Sequence, residues 1–269
     1  MNTPTRSEHT ENFPVASWLL KPAARAPILA FYRFARTADD IADDAHGDPA
    51  TRLAALDAMR ATVAGEAEAE PTALRLREIT ADRRLDSAHA LDLLAAFSRD
   101  VTTPRTATYA DLIAYCVKSA MPVGRFVCDV HGEDRRVWPA SDALCAALQI
   151  INHLQDCGKD FRHMDRAYIP SAMLHAAGLD ASVLAADRSP PALLGVIRDL
   201  AQRCVGLLAE ARPFAAMLRD RRLAAEVRVI QRLADDLTAQ LLRRDPLAER
   251  VAHGKLRAAW LSLGAVLGA

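Results

Sequence analysis

Apolar residues recur three and four positions apart along almost the whole chain, the spacing that lines one face of an α-helix. Nowhere does an alternation of Val, Ile, Thr or aromatic residues run long enough to predict a strand, and the helix-favouring residues Ala, Leu and Arg are abundant. The pattern predicts an all-α protein. Proline, glycine and capping residues divide it into elements. Pro27 suits a first helical position, so a helix is expected over 27–44, stopped by His46-Gly47-Asp48-Pro49. A second begins near Ala50, a loop covers 65–71, and helices follow over 72–79 and 87–99. After a break at Thr103-Pro104, Thr108 is placed to cap a helix over 109–131 that Pro122 should kink. Ser141 is placed to cap the next helix, which reaches Phe161 and is closed by a loop over 162–170. Ser189-Pro190-Pro191 opens another, Pro213 interrupts it, and 223–242 gives a further helix before Asp245-Pro246. The expected architecture is a single-domain bundle of roughly eight or more helices, with a site built from side chains pointing into its interior.

Composition narrows the functional classes. The 269 residues are 51% hydrophobic, enough to bury one large core, and the domain is expected to span 12–269 behind a disordered, polar segment 1–11. Lys plus Arg equals Asp plus Glu at 34 each, so no global basic field favours nucleic acid and any anion site must be local. Five cysteines without a CxxC pair fit a reducing, cytoplasmic setting. The segment 258–269 is apolar for only about a dozen residues, short of the roughly 20 needed to span a bilayer. It reads as a last core helix, with membrane docking as the alternative. The histidines form no zinc pattern, and Walker, GxGxxG and GxSxG motifs are absent.

The candidate chemistry lies in two acidic clusters. In the first long helix Tyr32, Arg36, Asp39 and Asp43 are spaced by four, three and four residues along one face, with Asp40 and Asp44 beside them. Four aspartates in the carboxyl-terminal half of a helix oppose the macrodipole, so something outside the helix must compensate them. A hard cation such as Mg²⁺ would do so, sharing its coordination between protein carboxylates, water and substrate phosphate. A solvated acidic face is the bland alternative. The second cluster, Asn152, Asp156 and Asp160 with Gln155 adjacent, projects from one side of a helix otherwise rich in Ile150, Ile151 and Leu154. Charges among such neighbours need partners. Gly158 within it costs about 1 kcal/mol of helix propensity; close approach of a backbone or ligand, or simple tolerance, would account for it. Facing one another, the clusters would clamp cations around adjacent phosphates, which makes diphosphate departure the natural reaction. Arg36, Lys159, Arg162, Arg166 and the Tyr168 hydroxyl lie where they could complete such a clamp.

The motifs Arg36-Thr-Ala-Asp39-Asp40-Ile-Ala-Asp43-Asp44 and Asn152-His-Leu-Gln155-Asp156-Cys-Gly-Lys-Asp160-Phe, followed by Arg166-Ala-Tyr168-Ile-Pro170, resemble the two aspartate motifs of the squalene/phytoene synthase family. The likeness extends to Tyr115-Cys-Val-Lys-Ser119-Ala120-Met121-Pro122-Val-Gly124-Arg125 and covers most of the chain from Asn12 to about Pro170. It implies the isoprenoid synthase helical bundle with a central apolar cavity, and Mg²⁺ bridging Asp39, Asp40, Asp43, Asp156 and Asp160 to a prenyl diphosphate. Carried over by position, Arg36, Asn152, Gln155, Arg166 and Tyr168 match diphosphate-side residues, and Tyr32 and Tyr115 match tyrosines of the reaction chamber. Phe13, Phe34, Ala120 and Gly124 are expected along the cavity. Asn12-Phe13-Pro14-Val15-Ala16-Ser17 and the segment 119–125 look most like the branch that turns presqualene diphosphate and water into hydroxysqualene and diphosphate. That reaction implies no nicotinamide cofactor, and a lipophilic product implies transient membrane contact. Head-to-head condensation of two prenyl diphosphates on the same aspartates, and a non-catalytic helical scaffold, are the alternatives.

Overall fold

The structure is a computed structural model that describes residues 21–44 and 47–254. The expectations for 1–11, for Asn12–Ser17 including Phe13, for His46 and for 258–269 fall outside these residues. Among them the chain forms eleven α-helices and two 3-10 turns, and its only β pairing is an isolated parallel bridge between Arg105 and Ala167. The helices are α1 (Pro22–Ala42), α2 (Pro49–Ala64), α3 (Pro71–Arg83), α4 (Ala88–Thr102), α5 (Tyr109–Ser119) and α6 (Met121–Val130), then α7 (Trp138–Met164), α8 (Ser171–Ala176), α9 (Pro191–Ala211), α10 (Phe214–Met217) and α11 (Arg221–Leu241). The all-α class read from the periodicity is the class observed.

Three element boundaries differ from expectation, each for a local reason. Helix α1 starts at Pro22, a proline in the first turn where its missing N–H is not needed, so Pro27 lies inside the helix and buries its ring. The segment 109–130 is two helices: Ala120 leaves helical geometry (φ −126°, ψ −47°), and Pro122, in the first turn of α6, lacks the N–H that would have continued the ladder. The cap on α5 does match, because Thr108 and Asp111 form a reciprocal capping box. Ser141 does not cap α7. That helix begins at Trp138 behind a 3-10 turn capped by Asp134, and Ser141 is buried one turn inside it.

Two contiguous cores result. One gathers α5, α7, α9 and α11 around Ile151, Ile197, Cys204 and Leu241. The other packs α1 against α2, α3 and α4 through Phe34, Leu56, Met59 and Leu76. Helix α1 belongs to both, since Ala24 and Ile28 join the first core while Phe31, Phe34, Ala38 and Ala42 join the second. Its opposite face, carrying Arg36, Asp39 and Asp40, is left partly exposed. Glycines fit α7 to its neighbours: a Cβ on Gly124 would sit 2.4 Å from Ser141 Oγ and 2.6 Å from Cys145 Sγ, so α6 and α7 touch closely there. A Cβ on Gly158 would sit 2.6 Å from Leu247 Cδ2, which settles that glycine as a contact with a neighbouring side chain. Among the described residues no helix is long and apolar enough to cross a membrane.

Candidate active site

The carboxyl-terminal end of α1 and the carboxyl-terminal half of α7 bring the two acidic clusters together. Arg36 donates to Asp39 at 2.7 Å and to Asp40 at 2.6 Å, within one helical turn, and so compensates part of the first cluster from its own helix. Asp43, the residue that closes α1, is held from elsewhere: Arg166 donates to its Oδ1 at 2.7 Å. Arg166 follows the end of α7, where Asp165 takes a left-handed conformation (φ 50°) and turns the chain back. Three backbone hydrogen bonds fix this return against 104–107: Ala167 N–H to Pro104, Thr106 N–H to Ala167, and Ser171 N–H to Thr106. The Arg105 side chain clips the Asp165 carboxylate and carbonyl from outside. The Arg166 guanidinium, buried, then reaches the carbonyls of Ala42 and Asp100 as well.

Charge of the first cluster acts on the second, since Asp43 is among the neighbours that raise Asp160. Burial, followed by the neighbouring Asp156 and Asp43 charges, pushes the Asp160 carboxyl up to about 7. Asp39 is likewise pushed up to about 7, by burial and then by Asp43, against the opposing pull of Arg36. The Oδ1 of Asn152 and the Oε1 of Gln155 are buried and find no hydrogen-bond partner among the described residues, whereas the Gln155 amide donates to the Val251 carbonyl at 2.6 Å. Asp156 is half-buried on the same side of α7. Lys159 and Arg162 are exposed helix-end charges. Among the described residues no three His, Cys, Asp or Glu side chains already form a metal cage. The donor set nevertheless suits Mg²⁺, which takes one or two protein carboxylates and completes its shell with water and phosphate oxygens.

Behind the aspartates lies a buried polar network that the sequence did not announce. Tyr115 donates to Asp100 Oδ2 at 2.6 Å, and the Tyr115 and Tyr168 hydroxyls meet at 3.4 Å. Burial pushes Asp100 up to about 6, opposed by Arg166 and by hydrogen bonds from both tyrosines. Its other oxygen has no hydrogen-bond partner among the described residues. One signal was available: Leu93, Ala96 and Asp100 share the buried stripe of α4, and an aspartate in a core-facing register needs a reason. His153 stacks on Tyr168 with ring centroids 3.5 Å apart. Burial and the positive charges of Arg166 and Arg99 push its pKa down to about 3, so the ring is neutral.

Tyr32 is half-buried on α1 one turn before Arg36. Phe34 is fully buried in the second core. Ala120 is buried at the break between α5 and α6, and Gly124 lies at the contact of α6 with α7.

A sequence model of the squalene/phytoene synthase family matches residues 6–257. The chain belongs to the squalene/phytoene synthase family. It is an enzyme of the prenyl diphosphate-processing class to which that family's synthases belong. Among its relatives, the hydroxysqualene synthase of Rhodopseudomonas palustris is 52% identical over 246 residues, covering 91% of this chain and 84% of that protein. The hydroxysqualene synthase of Zymomonas mobilis is 48% identical, covering 98% and 89% of the two chains. A squalene synthase structure from Alicyclobacillus acidocaldarius superposes with a TM-score of 0.76 at 32% identity, covering 87% of this chain and 89% of that one.

Proposed function

We infer that this chain is a hydroxysqualene synthase, converting presqualene diphosphate and water into hydroxysqualene and diphosphate. The observation that carries the reading is the meeting of Asp43 with Arg166 and, through its charge, with Asp160, which concentrates carboxylates and a guanidinium where a diphosphate would leave. The identity of about half of all positions with hydroxysqualene synthases favours this reaction over condensation. Mg²⁺ would be held by Asp39, Asp40, Asp43, Asp156 and Asp160; when bound it supplies neutralisation of the charge developing on the departing diphosphate. Arg36 and Arg166 add fixed positive charge at the same place, and Asn152, Gln155 and Tyr168 offer polar groups to the phosphate oxygens. The carbon–oxygen bond to diphosphate breaks with its electron pair leaving on oxygen. The resulting cation rearranges beside the aromatic faces of Tyr115 and Tyr32. Water then forms a new carbon–oxygen bond and releases one proton. One carbon–oxygen bond replaces another, so no reductant is consumed.

Purified protein given Mg²⁺ without reduced nicotinamide should produce hydroxysqualene from presqualene diphosphate and nothing from farnesyl diphosphate. A C30 diphosphate made from farnesyl diphosphate alone would instead assign condensation. Cytoplasmic residence with peripheral membrane contact at product release belongs to the same reading.

A further inference from the structure

The three rings of Tyr115, His153 and Tyr168 pack against one another, but unequally. His153 lies nearly parallel to Tyr168 (19°) with centroids 3.5 Å apart, while each ring is tilted to Tyr115 at 5.2 to 5.7 Å. Tyr168 therefore has a flat support on one face. Its hydroxyl lies 3.4 Å from that of Tyr115 and accepts from Arg166 Nη1 at 3.5 Å, and the same nitrogen of Arg166 holds Asp43. The tilt of one phenol ring is thus coupled to the guanidinium that bridges the two halves of the site.

His153 itself is fixed by α7: the Gln149 amide, one turn earlier, donates to its Nε2 at 3.1 Å, which requires that nitrogen to be unprotonated. A charged ring here would repel Arg166 and Arg99, whereas a neutral one stacks without disturbing them. Residues that hold a reacting geometry are effective when their own rotamers are locked by packing and hydrogen bonding, and both conditions are met at His153.

We propose that His153 is a positioning residue: a neutral, flat shelf that sets the Tyr168 ring and, through its hydroxyl, the Arg166 guanidinium that receives the diphosphate. The ring's shape does this work and its nitrogen does not. This rests on the reading of the site as a diphosphate-processing one.

The test compares H153F, which keeps a flat ring, with H153L and H153M, which keep bulk without one. Each is assayed for kcat and KM with presqualene diphosphate and Mg²⁺, for binding of inorganic diphosphate with Mg²⁺ by calorimetry, and for thermal stability. H153F strands the Gln149 amide, so it should melt at a lower temperature yet retain kcat/KM within about threefold of wild type. H153L and H153M should lose about tenfold or more in kcat/KM and weaken diphosphate binding, and the loss should vanish when Tyr168 is already Leu, Y168L and H153L/Y168L being equal. Wild-type kinetics and binding in H153L, or equal losses in H153F and H153L, overturn the proposal. So does failure of both H153L and H153M to fold, since the ring would then be a folding requirement. Wild-type protein inert towards presqualene diphosphate sinks the proposed function alone; the diphosphate-binding order among the variants still decides the role of His153.

Discussion

Arg166 grips Asp43 at 2.7 Å across 123 positions of sequence, and this pair joins the end of the first acidic helix to the end of the second. The guanidinium is buried while a third of the Asp43 side chain reaches solvent, so the two partners respond differently to mutation. In R166Q, Asp43 can be rehydrated and the Ala42 carbonyl keeps its bond from Arg52, but the Asp100 carbonyl loses the guanidinium donor. A stability loss of about 1–3 kcal/mol is expected in urea unfolding, with turnover falling by at least about tenfold. Unchanged kcat/KM would remove Arg166 from the diphosphate site.

Removing charge from the second cluster should separate activity from stability. D160N relieves repulsion from Asp156 and Asp43, so the metal-free variant should match or exceed the wild-type melting temperature at pH 8 while turnover collapses. A D160N enzyme at wild-type rate would contradict the metal assignment. D156N tests the neighbouring carboxylate by the same measurements and should also lose turnover far more than stability.

The same crowding predicts a pH dependence. Asp39 and Asp160 have folded-state values near 7 against an ordinary 3.8, so between these limits the folded protein binds more protons than the unfolded chain. Stability from these two groups is present below about pH 4 and is lost as pH rises towards 7. Metal-free protein should therefore show this downward contribution, and Mg²⁺ should raise the melting temperature more at pH 8 than at pH 5.5. Equal Mg²⁺ effects at both values, measured by scanning calorimetry, would count against cation binding by these carboxylates.

Y115F removes the 2.6 Å donor to the buried Asp100 Oδ2 and leaves that carboxylate to the Tyr168 hydroxyl alone. The expected cost is about 1–3 kcal/mol in urea unfolding. Because the phenyl ring remains, any kinetic change reports the hydroxyl and its alignment with Tyr168.

Helix contacts give a prediction independent of chemistry. G124A drives a methyl into the short side chains of Ser141 and Cys145, and about 1–3 kcal/mol of overpacking is expected. C145A should restore part of it. G158A meets mainly the far end of Leu247, which can rotate, so its melting temperature should fall less than that of G124A.

Much of this protein was legible without coordinates. Helical periodicity fixed the all-α class, because amphipathic spacing follows directly from 3.6 residues per turn. The register of Arg36, Asp39 and Asp43, and of Asn152, Asp156 and Asp160, put each set on one helical face for the same reason. Helix starts were less legible: Pro22 and Pro27 are both acceptable first-turn residues, and only packing selected Pro22. The break at Ala120 was masked because apolar periodicity runs through it. What depended on tertiary structure was every relationship between elements: Arg166 with Asp43, Asp100 with Tyr115, and His153 against Tyr168. No local spacing encodes these pairings, since they arise only when α1, α4, α5 and α7 pack together. Burial then determines which of their charges and hydroxyls remain in the form the chemistry needs.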